Sequence, residues 1–135
     1  MSAKRLSPDD PREWLNRARS NLALAKARVA GVYLEDLCFS AQQAAEKAVK
    51  AVLIHLGVRF PYTHDLAELL TLVERAGLAV PDGLRRASIL SDYAVESRYP
   101  GLAEPVTERE YKEAVDIAKE VVRWAEGIME GRGKA

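Results

Sequence analysis

The sequence holds one cysteine, two histidines and no excess of charge of either sign. A single thiol, Cys38, excludes an internal disulfide and fits a reducing compartment. His55 and His64 with one distant cysteine make no metal-ligand pattern, so no metal or other cofactor is expected. Twenty basic and twenty acidic side chains cancel. Broad attraction to nucleic acid or an anionic membrane is therefore not written into the net charge, and any nucleic-acid contact needs a local patch. The N-terminus lacks the apolar run of a signal peptide, and no stretch is long and apolar enough to span a bilayer. No membrane association is expected, and these absences predict a cytoplasmic protein. Also missing are a Gly-rich phosphate loop, a Ser-based triad and a paired-carboxylate motif.

What is present is a chain of 135 residues, 48% apolar, the size and make-up of one globular domain. It is expected to be a single unit over residues 1–135 with a helical core from about 10 to 130 and frayed tails. Charge is spread unevenly. Residues 1–30 carry seven Lys/Arg against three Asp/Glu, whereas residues 101–135 carry eight acids against six bases.

Five helices and no convincing strand can be read. Asp10-Pro11-Arg12-Glu13 is a helix start, with Asp as N-cap, Pro at the first helical position and Glu three residues after the cap. Trp14, Ala18, Leu22, Ala25 and Val29 then recur at three- and four-residue spacing up to Gly31. A second, alanine-rich helix runs from about Leu34 to Leu56 and stops at Gly57. Thr63 caps a third, with Leu66, Leu69, Leu70 and Val73 as its stripe and Gly77 at its end. Pro81-Asp82-Gly83 opens a fourth, which carries Leu84, Ala87, Leu90 and Ala94 inward and ends near Ser97, before Pro100. Thr107-Glu108-Arg109-Glu110 matches a capping box. The helix it opens places Tyr111, Ala114, Ala118, Val121, Ala125 and Ile128 on one face. Short connections predict antiparallel neighbours.

The second helix bears the densest polar pattern. At about 100° per residue, Gln43, Glu46, Lys47 and Lys50 fall within one arc about 100° wide, opposite Leu37, Ala41, Ala44, Ala48 and Val52. An amide, a carboxylate and two amines displayed together suit a phosphate or a base edge. The competing reading is a solvated face on which Glu46 and Lys50 form an i,i+4 pair worth about 0.3–0.5 kcal/mol.

Two further places carry chemistry. Arg98, at or just past the end of the fourth helix, offers paired N–H donors to phosphate, and Tyr99 beside it offers a ring to stack on a base. Alternatively, Arg98 caps helix carbonyls and Tyr99 plugs the bundle end. His64, placed in the first turn of the third helix, suits acid–base work near neutral pH or a local hydrogen bond that fixes the loop. Asp65 supports the helix dipole, and His55 is read as a packing histidine.

Three segments, in order and in spacing, carry a family resemblance. Phe39-Ser40-Ala41-Gln42-Gln43-Ala44-Ala45-Glu46-Lys47-Ala48-Val49-Lys50-Ala51 resembles the second-helix signature of HEPN domains (higher eukaryotes and prokaryotes nucleotide-binding domain). Gly57 followed by Pro61-Tyr62-Thr63-His64-Asp65-Leu66 resembles that family's loop into its third helix. Tyr93, then Ser97-Arg98-Tyr99-Pro100, resembles its fourth-helix end. The likeness covers about residues 10–130. It implies an all-α, antiparallel up-and-down four-helix bundle with an extra short helix, working as a homodimer. It also implies a nucleotide or RNA ligand held by Gln43, Glu46, Lys47, Lys50, Arg98 and Tyr99, and a minimal nucleotidyltransferase partner in a toxin–antitoxin-like system.

Catalytic members of that family carry an Arg, four to six residues, then a His near the start of the last helix. No His follows His64 here, and the Arg59–His64 spacing lies in the wrong loop. Two other functions stand beside the binding module. One is a metal-independent ribonuclease acting as a homodimer, with His64 as acid or base and Arg98 stabilising charge. The other is a non-catalytic protein-interaction bundle.

Overall fold

The computed structural model describes residues 5–94 and 105–131. Within them the chain forms helix α1 (Pro11–Lys26), α2 (Leu34–His55), α3 (Leu66–Arg75), a 3-10 segment (Asp82–Tyr93) and α4 (Glu108–Met129). The described residues contain no strand, and the all-α bundle with a short extra helix expected from the sequence is the fold observed.

Each start is written locally. The Asp10 carboxylate accepts from the Arg12 amide at the head of α1. Thr107 and Glu110 cap each other's backbone amides at the head of α4. At the end of α2, Gly57 takes φ +73°. Its N–H donates to the Ile54 carbonyl and that of Val58 to the Leu53 carbonyl, the paired bonds of a Schellman motif.

Helix α2 is the hub. It packs against α1, α3, α4 and the 3-10 segment, and its alanines at 41, 44, 45, 48 and 51 are fully buried, letting neighbours approach closely. Apolar residues of every element join it in one core, including Leu66, Leu69, Leu70 and Val73 of α3 and Tyr111, Ala118, Val121 and Ala125 of α4. The ends are pinned by polar contacts. The Tyr111 hydroxyl donates to the Ala25 carbonyl at 2.6 Å, the Val106 amide donates to Glu35 at 2.6 Å, and Arg19 pairs with Glu126. The first and last of these hold α1 antiparallel to α4.

Five expectations change. The first helix ends at Lys26, so Val29 lies beyond it, exposed, rather than on the buried stripe. The third helix is capped by Asp65, whose carboxylate accepts from the Ala67 and Glu68 amides; Thr63 instead accepts from the Asp65 amide. His64 therefore precedes the cap and lies outside the helix. His55 is exposed rather than packed. The fourth element is a run of 3-10 turns. Its inward residues Leu84, Ala87, Leu90 and Tyr93, the last in place of the expected Ala94, recur every third position, and three residues per turn stack them on one edge. The expected continuation to Ser97 lies outside the described residues.

Candidate functional site

The polar arc of α2 is not a solvated face. Glu46 is 4% exposed and Lys50 5% exposed. Helix α1 closes over one side of the arc and the loop from Phe60 to His64 over the other, so these side chains must find partners inside the protein. They do so as one network. The Glu46 carboxylate accepts from Gln42 Nε2 at 2.6 Å, from Lys50 Nζ at 2.8 Å and from His64 Nδ1 at 2.8 Å. A carboxylate only accepts, so the His64 proton sits on Nδ1. Gln43, half-buried, donates to the Gln42 side-chain carbonyl at 2.7 Å. No buried side-chain N or O among the described residues lacks a partner.

The electrostatics follow from this wiring. Burial by itself raises the Glu46 carboxyl, but hydrogen bonds from Lys50, His64 and Gln42 outweigh it and hold the group below its ordinary value. The Lys50 ammonium is held a second way, 5.6 Å from the Phe60 ring centre and 6.0 Å from that of Tyr62. Phe60 in turn meets Trp14 of α1 edge-on at 6.4 Å, and Tyr62 meets His64 edge-on at 5.4 Å. The loop between α2 and α3 is thus clamped onto the buried ion pair.

Lys47 points elsewhere. Its Nζ donates to Asn21 of α1 at 2.8 Å. Burial and then the like charge of Arg17 lower its amine below the ordinary value. Lys47 lines a groove of about 280 Å³ between α1 and α2 with Arg5, Glu13, Asn16, Arg17, Ser20 and Asn21. The one carboxylate there is already engaged. Glu13 accepts from the Leu6 amide at 2.9 Å and from Arg17 Nε at 2.7 Å. The amide bond from Leu6, then the Arg17 bond, lowers its carboxyl. Three cations against one paired acid leave the groove positive, and the neutral amides and hydroxyl supply hydrogen-bond partners for an anion's oxygens.

The structure therefore divides the sequence-predicted set. Gln43, Glu46 and Lys50 belong to one network with His64, and Lys47 faces a different neighbour. Arg98 and Tyr99 lie outside the described residues. Gln42, Arg17, Asn21 and Tyr62 were missed by the sequence reading. Gln42 had a signal, since Gln42, Glu46 and Lys50 follow at four-residue spacing, but nothing in the sequence pairs α1 residues with Lys47. Among the described residues, no group of three His, Cys, Asp or Glu side chains converges as a metal site, and no helix is long and apolar enough to cross a membrane.

Comparison with known proteins agrees with this architecture. A crystal structure of a Thermus thermophilus protein is 33% identical, with a TM-score of 0.75, covering 87% of this chain and 97% of the other. The crystal structure of an archaeal HEPN homologue is 29% identical, with a TM-score of 0.72, covering 93% of this chain and 98% of the other. No curated protein matches. The HEPN domain model matches residues 11–128. The chain belongs to the HEPN domain family, whose members are nucleotide-binding or RNase-like and commonly dimerise.

Proposed function

We propose that this chain is a nucleotide- or RNA-binding module that takes phosphate in the groove between α1 and α2. The observation that carries this reading is the convergence of Arg5, Arg17 and Lys47 around a groove whose one acid is already paired. A phosphate entering there relieves the repulsion from Arg17, which adds to burial, the larger cause, in holding the Lys47 amine below its ordinary value. Glu46 and Lys50 act as part of the frame rather than as ligands, because both are buried, the carboxylate accepts from Gln42, Lys50 and His64, and the ammonium is held between Glu46 and the Phe60 and Tyr62 rings. Titrating nucleotide into isotope-labelled protein should shift backbone NMR signals near Arg17, Asn21 and Lys47. No shift at millimolar nucleotide refutes the groove.

The module acts as a homodimer beside a minimal nucleotidyltransferase, in a toxin–antitoxin-like pair. The family's habit of dimerising supports the first part. Light scattering tests it against the 14.9 kDa mass of one chain. Co-purification with the product of the neighbouring gene tests the second.

One observation favours a second reading, a metal-independent ribonuclease. His64, 32% exposed, gives Nδ1 to Glu46, and its Nε2 has no partner among the described residues. That arrangement suits a group that takes or gives a proton. RNA cleavage in chelator that is abolished in His64→Ala supports it, and cleavage that survives removes His64 from the mechanism.

A further inference from the structure

Tyr62 is 89% exposed, the most exposed of the large apolar and aromatic side chains in the described chain. Such a ring on a loose loop would be unremarkable, but this one is held from three sides. Pro61 before it fixes the backbone. The Thr63 hydroxyl accepts from the Asp65 amide and folds the following residues back. Below, Tyr62 rests within 6.0 Å of the buried Lys50 ammonium, and its ring meets the edge of His64, itself bonded to Glu46. The buried ion pair and His64 thus lie beneath a ring that faces solvent.

The ring and the groove are linked through the same helix. Lys50, under Tyr62, lies one turn from Lys47, about 4.5 Å along the α2 axis. Phe60 of the same loop meets Trp14, which on α1 follows Glu13 and lies one turn before Arg17, two residues of the groove wall.

From this arrangement we infer that Tyr62 is a base-stacking platform, and that the site takes a single-stranded RNA segment. One base lies on Tyr62 and an adjoining phosphate lies in the Arg17–Lys47 groove. This rests on the phosphate reading of the groove proposed above and adds what stands beside it. An exposed aromatic next to a cationic channel is how sequence-tolerant single-strand binders hold their ligand, since every base offers a π face. The contact is preorganised, so no loop ordering has to be offset on binding.

The test is fluorescence anisotropy with a dye-labelled oligoadenylate of about eight nucleotides, with adenosine monophosphate as competitor. Loss of one stacked base predicts that Tyr62→Ala weakens the oligonucleotide roughly 5- to 150-fold. Tyr62→Phe, which keeps the ring, stays near wild type, and Lys47→Ala weakens binding through charge. Tyr62→Ala gives up only the ring contacts to Lys50 and His64, so its circular dichroism spectrum at the assay temperature should match the wild type, and lost binding is then not lost folding. Wild-type affinity in Tyr62→Ala alongside weakened Lys47→Ala overturns the platform and leaves the phosphate groove standing. Adenosine monophosphate competing as well as the oligonucleotide overturns the strand in favour of a single nucleotide. Failure of both probes to bind the wild type overturns the groove and the platform with it.

Discussion

Replacing Glu46 by alanine separates a buried network from a surface ion pair by magnitude alone. As an exposed i,i+4 pair, Glu46 and Lys50 would contribute about 0.3–0.5 kcal/mol. Here both side chains are buried, and the carboxylate accepts from Lys50, His64 and Gln42. Removing it leaves a buried ammonium with no counter-charge, and breaking a buried pair from one side costs about 3–5 kcal/mol. Against a total stability of about 5–15 kcal/mol, that is a large fraction. At roughly 3–5 °C per kcal/mol for a domain of this size, the melting temperature should fall by about 9–25 °C. Urea titration followed by far-UV circular dichroism measures the cost directly. The double variant Glu46→Leu with Lys50→Met removes the stranded charge as well. It should recover all but the about 1–3 kcal/mol that Gln42 loses with its acceptor. A Glu46→Ala cost below about 1 kcal/mol, the value of an exposed pair, refutes the argument. So does a double variant that costs the sum of its two singles.

Three further outcomes follow from the same geometry. Glu46 and Glu13 are held below the ordinary carboxylate value of 4.5 in the folded protein. The stability they contribute is complete above that value and is lost as pH falls through their lower folded values; acid unfolding of Glu46→Gln should show a shallower pH dependence in that window. For nucleic acid held by about three cations, the log–log salt dependence of binding should have a slope near −2, and Lys47→Ala should reduce it by about 0.7; an unchanged slope removes Lys47 from the phosphate contact. Burial pushes the Cys38 thiol up to about 12, so a thiol reagent should label the native protein far more slowly than the urea-unfolded chain, and equal rates would mean that Cys38 is accessible.

The local signals in the sequence concern backbone. Asp10-Pro11, the Thr107–Glu110 box and Gly57 specify helix ends through bonds that close within a few residues, and all three form as read. The stripes of α3 and α4 likewise name their buried residues, because each of these helices turns one face to the core. Helix α2 escapes such reading for a physical reason. It is surrounded, so its polar arc is covered by segments remote in sequence. A helical wheel places Glu46 and Lys50 on one side but cannot tell water from α1 and the Phe60–His64 loop. Whether the residues of that arc meet solvent or each other was decided by packing. Packing alone brought Asn21 and Arg17 to Lys47, His64 to Glu46, and Tyr62 to the surface above Lys50, since those contacts span stretches of chain over which no local periodicity carries information.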